Sequence, residues 1–235
     1  MAKYIVKRIA LAIVTIWAVA TLTFFLMNMV PGGPFLSEKA ISPQATAALE
    51  AKYGLDKPLG EQYVTYITGA LHGDFGDSLK QRGRTVADII KMKFPVSAKI
   101  GGISVLISLV LGVFLGSIAA LKRGKFLDNF ISVISTLGIA VPSFVVCTLL
   151  MYFLGVKARI LPTMGLMSWK NYIMPVAALS FYPTAYIMRL MRSSMLDVLG
   201  QDYMRTAKAK GLSGKAQLFK HALRNAILPV VTYVG

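Results

Sequence analysis

Charge is scarce in this chain, and negative charge scarcest. Only 15% of its 235 residues are charged, 10 of them Asp or Glu against 26 Lys or Arg. A soluble domain of this size carries about a quarter charged residues, so the composition argues against a water-soluble globular fold. Cysteine is nearly absent. The single Cys147 lies inside an uncharged run, which excludes a disulfide framework and leaves a small, buried apolar side chain. The two histidines, His72 and His221, fall in loops on opposite sides of the topology derived below. They share no metal, and each reads as a solvated or capping residue. No catalytic constellation can be assembled from the rest. Ser213-Gly-Lys215 has the ending of a phosphate loop without its frame, because Ala209 and Ala216 occupy positions where G-x-x-x-x-G-K-[ST] demands Gly and Ser or Thr. A nucleotide that energises this chain must be hydrolysed on another polypeptide.

What the chain has instead is long uncharged runs: Ile9 to Val30, Ile100 to Leu121, Phe130 to Val156 and Asn171 to Met188. About 20 apolar residues cross the hydrocarbon core as a helix, so the expected fold class is an all-α polytopic membrane protein with four complete spanning helices. A fifth apolar run opens at Ala226 and stops at Gly235, which reads as the start of another span in a C-terminally truncated chain. Lys3, Lys7 and Arg8 precede a run containing Ala18-Val-Ala20, as in a secretory signal. The run continues unbroken to Val30, too long for one, and is retained as a helix. None of the four runs holds an Asp, Glu, His, Lys or Arg side chain, so a proton relay lacks its usual residues.

The net charge of +16 is mostly topology. With the N-terminus cytoplasmic, segments 1–8, 122–129 and 189–225 face inward with 14 basic and 3 acidic residues, while 31–99 faces outward with 9 and 7. Basic residues therefore concentrate on one side, as the positive-inside rule requires, and nucleic acid is not needed as a partner. The chain divides into 1–30 (cytoplasmic N-terminus and first helix), 31–99 (extracytoplasmic loop) and 100–235 (transmembrane core with a cytoplasmic loop at 193–225).

The outer loop carries local helix signals. Ser42-Pro43 opens one helix, with Gly54 as its stop. A second spans Pro58 to His72, with Tyr63, Tyr66 and Ile67 on one side. Gly73 to Ser78 forms a turn, and Thr85-Val-Ala-Asp88 forms a capping box for a third short helix ending before Pro95. In the core, Gly112 and Gly116 have the spacing that lets membrane helices approach closely, which ordinary packing also uses. Pro142 with Ser143 interrupts the third run, and Pro175 and Pro183 interrupt the fourth. Prolines inside membrane helices either kink packed helices or line a water-filled pathway. Pro142, Ser143, Pro175 and Pro183 are thus candidate pathway-lining or hinge residues.

The inner loop is the most unusual stretch. Tyr203 to Lys210 makes two helical turns, with Gly211 as a left-handed stop. Ala207 and Ala209 leave little bulk, and Arg205 and Lys208 form a basic edge. Past Ser213, residues Ala216, Phe219, Leu223 and Ala226 make an apolar stripe. A basic helix lying on anionic lipid accounts for the second helix. It does not account for the small residues and glycine stop of the first.

Here the chain resembles the integral permease subunits of binding-protein-dependent ABC importers, in the dipeptide/oligopeptide/nickel branch. The resemblance rests on Arg205-Thr-Ala-Lys-Ala-Lys-Gly211 followed by His221-Ala-Leu-Arg-Asn-Ala-Ile-Leu-Pro229. It extends through Tyr4 to Arg8, Pro31-Gly-Gly-Pro34, Tyr53 to Leu59, Gly73-Asp-Phe-Gly76, Phe94-Pro-Val-Ser97, Pro142-Ser-Phe144, Leu161-Pro162 and Arg189 to Leu196. Arg205 and Thr206 stand where the family's Glu-Ala-Ala…Gly signature has Glu and the first Ala. Pro31 to Phe35, Glu50 to Tyr53 and Phe94 to Lys99 are most similar to the first permease subunit of oligopeptide systems. The resemblance implies a type I ABC importer permease fold of six spans in a bacterial or archaeal cell membrane. It implies a coupling helix formed by Tyr203, Arg205, Thr206, Ala207, Lys208, Ala209 and Gly211. The implied partners are a second homologous permease subunit, two cytoplasmic ATPase subunits that use ATP and Mg, an extracytoplasmic substrate-binding protein, and membrane lipid. No cofactor is implied on this chain itself, and the implied function is import of peptides by alternating access. Dipeptides, nickel chelates or another small solute fit the same architecture. A passive channel would need no ATPase, and a membrane-enzyme subunit would need intramembrane acids, histidines or metal ligands.

Overall fold

The computed structural model describes residues 2–30, 43–81 and 83–235, so the Pro31-Gly-Gly-Pro34 motif, Phe35 and the Ser42 cap fall outside the described residues. Among the described residues the chain is helical without a strand. Its extended pairing is an isolated bridge between Asp77 and Thr85. The chain forms two compact units, Met1–Phe94 and Pro95–Gly235.

In the first unit, α1 (Ala2–Met29) is a 28-residue helix, about 42 Å long at 1.5 Å per residue. The helix α2 (Pro43–Tyr53) stops at Gly54, whose φ of 66° is a left-handed value that a side chain would strain. The next helix, α3 (Leu59–Leu71), starts after Pro58 and ends at His72. Its Tyr63 and Tyr66 face α1: the Tyr63 ring centroid lies 5.5 Å from that of Phe24 and 5.6 Å from that of Phe25, and the Tyr63 hydroxyl is 2.7 Å from Thr21 Oγ1. The turn after α3 is fixed by Asp74, whose carboxylate accepts from the Gly76 amide at 2.9 Å. The amide of Asp88 donates to Thr85 Oγ1 at 3.1 Å, the N-cap half of a capping box, and the Thr85 hydroxyl donates to the Asp88 carboxylate at 2.7 Å.

That cap opens a much longer helix than the sequence pattern predicts. Instead of ending before Pro95, α4 (Val86–Leu121) runs 36 residues straight through it. A proline removes one helix hydrogen bond and crowds one carbonyl. Ending one helix before Pro95 and starting another at the apolar run would leave four carbonyls and four amides without helical partners, so the smaller defect is tolerated.

In the second unit, α5 (Phe126–Ala140) and α6 (Ser143–Leu150) flank Val141 and Pro142, and α6 continues as a π-helical turn over Met151–Lys157. The two halves meet at 99°. Val141 is extended, at φ −86° and ψ 121°, the conformation that a following proline enforces. The third apolar run is therefore a sharply bent pair. Pro175 and Pro183 do not break the fourth, since α7 (Lys170–Leu199) is continuous over 30 residues. Among the described residues, Lys3–Met29 and Val86–Leu121 are each long and apolar enough to cross a membrane alone, and α5 with α6 qualifies as a bent pair. The helix α7 is long enough, but Asn171, Tyr172, Tyr182 and Tyr186 dilute its apolar character.

The core of this unit is α7 held against α4 and α5 by small residues. A Cβ on Gly112 would sit 2.6 Å from Ile187 Cγ2, one on Gly116 2.5 Å from the Met188 carbonyl, and one on Gly138 2.6 Å from Ala185 Cβ. Buried Ser104 and Ser108 donate across the same seam to the carbonyls of Val176 at 3.4 Å and Ser180 at 3.1 Å. The Gly112 and Gly116 spacing thus serves close packing within this chain.

After α7 come α8 (Asp202–Ala209), α9 (Gly214–Ala216), a π-helical turn over Gln217–Ala222, α10 (Leu223–Ala226) and α11 (Leu228–Val234). The buried stripe along this stretch is Ala222, Ala226 and Val230, with Leu218 and Leu223 packed beside it. Phe219, expected in the stripe, is 63% exposed. The π-helical turn has more than 3.6 residues per turn, which rotates the register and turns Phe219 outward.

Candidate functional site

The inner loop forms a compact helix–turn–helix at the end of α7. Gly200 closes α7, and Gln201, extended at φ −72° and ψ 151°, redirects the chain into α8. Asp202 sits in the first turn of α8 and Lys208 in its last, each matched to the adjacent end of the helix dipole. The C-terminus is a Schellman motif. The Gly211 amide donates to the Lys208 carbonyl at 3.0 Å, the Leu212 amide donates to the Ala207 carbonyl at 3.3 Å, and Gly211 has φ 73°. A Cβ on Gly211 would meet nothing within 4 Å, so the demand for glycine there is conformational and not steric. Ser213 then caps the next helix, its hydroxyl accepting from the Ala216 amide at 3.3 Å.

The structure divides the candidate coupling residues between two faces. Tyr203, Arg205, Thr206, Lys208, Ala209 and Gly211 are exposed, while Ala207 is buried with Met204. The small side chain of Ala207 therefore seats α8 on its own chain, and it is no part of a surface open to a partner. Met204 joins a cluster containing Met191 and Met195 of α7 and Ala222, Ala226 and Val230 beyond the loop. Asn225 donates to the Tyr203 hydroxyl at 3.3 Å, and the Ser194 hydroxyl donates to the Ala226 carbonyl at 2.8 Å. Arg205 pairs loosely with Asp202 at 3.4 Å on an exposed surface, a contact worth little. The open side of α8 is thus short, basic and rigidly stopped, and its inner side is fastened to α7 through adaptable methionines.

The candidate pathway residues do not come together. Pro142 forms the corner between α5 and α6 with Ser143 exposed beside it, whereas Pro175 and Pro183 lie half-buried within α7. A cavity of about 490 Å³ opens between α4, α5 and α7, walled by Ile107, Leu111, Ile134, Phe181 and Thr184 among others, and none of the four candidates lines it. Among the described residues no three His, Cys, Asp or Glu side chains are placed to hold a metal ion.

Sequence reasoning missed one strong contact. Asp128, counted above only as a loop charge, is buried at the start of α5 and accepts two hydrogen bonds from Arg192 of α7, from Nε at 2.5 Å and Nη2 at 2.8 Å. The Gly124 amide donates to the same carboxylate at 2.9 Å. This fork fixes the cytoplasm-assigned end of α7 against the α4–α5 turn. A lone acid in a basic loop beside an uncharged run was the available signal, but its partner lies 64 residues away.

Comparison with known proteins covers nearly the whole chain. A family model described as "Binding-protein-dependent transport system inner membrane component" matches residues 112–235, and a companion described as "Binding-prot-dependent transport system membrane comp, N-term" matches residues 1–101. The dipeptide transport system permease protein DppB of Bacillus subtilis is 43% identical over all of this chain and 76% of its own length. The oligopeptide transport system permease proteins OppB of Haemophilus influenzae and Salmonella typhimurium are 42% and 41% identical, each with 78% of its length covered.

Proposed function

Because this chain belongs to the family of binding-protein-dependent transport system inner membrane components, we propose that it is a permease subunit of an ATP-driven importer that carries peptides through a bacterial cell membrane. Peptide is the cargo class common to its dipeptide-named and oligopeptide-named relatives. The chain performs no chemistry of its own. It holds no phosphate-loop motif, and ATP with Mg is consumed by cytoplasmic ATPase subunits. The remaining partners are a second homologous permease subunit and an extracytoplasmic binding protein.

The observation that carries this reading is α8: a two-turn helix with an open basic face, stopped by Gly211, with Ala207 buried and Met204 in one cluster with Met191 and Met195 of α7. A push on such an element moves α7 as a body, since the buried methionines transmit displacement without a gap. In the proposed topology the N-terminus is cytoplasmic, 31–99 is extracytoplasmic, and α4, α5–α6 and α7 cross the membrane after α1. Tyr203, Arg205, Thr206, Lys208 and Ala209 meet the ATPase, while Ala207 and Gly211 set the shape of the helix that does so. Pro142 with Ser143, and Pro175 with Pro183, act as hinges of the bent pair and of α7. ATP binding favours one access state only through contacts that differ between the two states, and α8 is where those contacts fall.

Charge reversal tests this without disturbing the buried face. Arg205→Glu with Lys208→Glu is expected to abolish co-purification of the ATPases while membrane insertion and amount stay unchanged. Undiminished co-purification together with wild-type uptake would overturn the role given to α8.

A further inference from the structure

We propose that Tyr182, Tyr186, Arg189 and Ser193 of α7 form a binding site for the C-terminal carboxylate of a peptide in transit, a site that rests on the peptide-import reading. These residues follow one another at intervals of four, three and four, so they form one stripe along the helix. Together with Ile139 and Leu190 they line a groove of about 330 Å³. The rings of Tyr182 and Tyr186 stack at 6.4 Å, and Tyr186 stacks on Tyr233 of α11 at 4.5 Å, extending the aromatic wall. All three tyrosines and Arg189 are exposed. The opposite side of the same helix is buried at Ile187, Met188, Met191 and Met195.

The two arginines of this stretch make the contrast plain. Arg192 is neutralised by Asp128. Arg189, three residues earlier and directly after the uncharged run, has no hydrogen bond or ion pair among the described residues. An unpaired guanidinium, a hydroxyl and two phenols in a row are poorly suited to lipid chains, and Arg189, at the cytoplasm-assigned end of the helix, puts its charge within reach of solvent. The guanidinium fork matches a carboxylate bidentately. The tyrosine wall offers flat, sequence-tolerant contact to whatever side chains precede it. A free C-terminal carboxylate is the one anion that peptides of different sequence share, so this pairing suits a carrier of many peptides.

The test uses the complete transporter in proteoliposomes, fed by its binding protein with a labelled peptide that carries a benzophenone side chain and a free C-terminus. Irradiation during turnover is expected to attach label between Tyr182 and Ser193. Arg189→Gln should lower that labelling about tenfold, and Arg189→Lys should restore part of it. Label found only elsewhere in the chain, or unchanged in Arg189→Gln, overturns the proposal. A deficit that disappears in purely zwitterionic vesicles assigns Arg189 to an anionic lipid headgroup, and loss of the second permease subunit from the purified variant assigns it to a subunit contact; both also overturn it. Dark uptake of the same peptide by the wild-type transporter separates the two levels. If the wild type takes up no peptide, the import reading fails. Uptake without label on α7 removes only the groove.

Discussion

The helices α1 and α4 are both long and apolar enough to cross a membrane, yet none of the most apolar stretch is buried in α1 and 33% of it is buried in α4. The difference lies in side-chain size. The α1 sequence has no glycine and presents Ile, Val, Leu, Trp and Phe around its surface. Along α4, Ser104, Ser108, Gly112 and Gly116 recur every four residues, and all four are buried. Apolarity suits a helix to the bilayer, but lipid tails are as apolar as leucine, so association needs close backbones and good van der Waals contact. Small residues provide both.

The comparison is broken most severely by giving α4 the surface of α1. Gly116→Leu would drive a side chain into the Met188 carbonyl and Met191. It is expected to cost about 3 kcal/mol or more, read as a large fall in melting temperature of the detergent-purified protein. The matched control Val14→Leu, at an exposed α1 position, should leave melting unchanged. Next in size is Asp128→Ala, which strands Arg192 with a charge that is only 31% exposed on its side chain. Removing one partner of a buried pair costs about 3–5 kcal/mol when both are enclosed, and solvent access to Arg192 reduces that to about 2 kcal/mol. Asp128→Ala with Arg192→Met should recover most of the loss in the same melting assay.

Gly211→Val acts outside the seam. It forces a β-branched residue to φ 73° in open space, at about 1–2 kcal/mol, confined to the α8 stop. The expected result is ATP hydrolysis uncoupled from uptake with normal membrane abundance, and Gly211→Asn should restore coupling because asparagine tolerates that conformation. The smallest effect is expected at Phe219. Its ring faces outward, so Phe219→Ala should change stability by less than about 0.5 kcal/mol in the same melting assay. A core-sized loss would return Phe219 to the buried stripe.

Much of this was legible beforehand because it depends on near neighbours. The Thr85 cap, the Gly54 and Gly211 stops, the Pro58–His72 helix and the apolar runs each follow from residues within a few positions of one another. Pro95 misled because local propensity marks a boundary there, whereas the apolar residues beyond make continuation the cheaper outcome. Phe219 misled because a stripe drawn at 3.6 residues per turn does not survive a π-helical turn. The burial of Ala207 was not legible, since sequence does not say which side of a short helix is already occupied.

By itself the sequence determined an all-helical membrane protein, the absence of a nucleotide motif, and the helix–glycine–helix loop after the fourth run. Those properties are carried by composition, period and backbone preference, which need no partner. Tertiary structure alone decided that Gly112 and Gly116 close on α7, that Asp128 is held by Arg192 while Arg189 has no such partner among the described residues, and that Ala207 faces inward. Each is a pairing between side chains far apart in the chain, and only the packed fold brings them within contact distance.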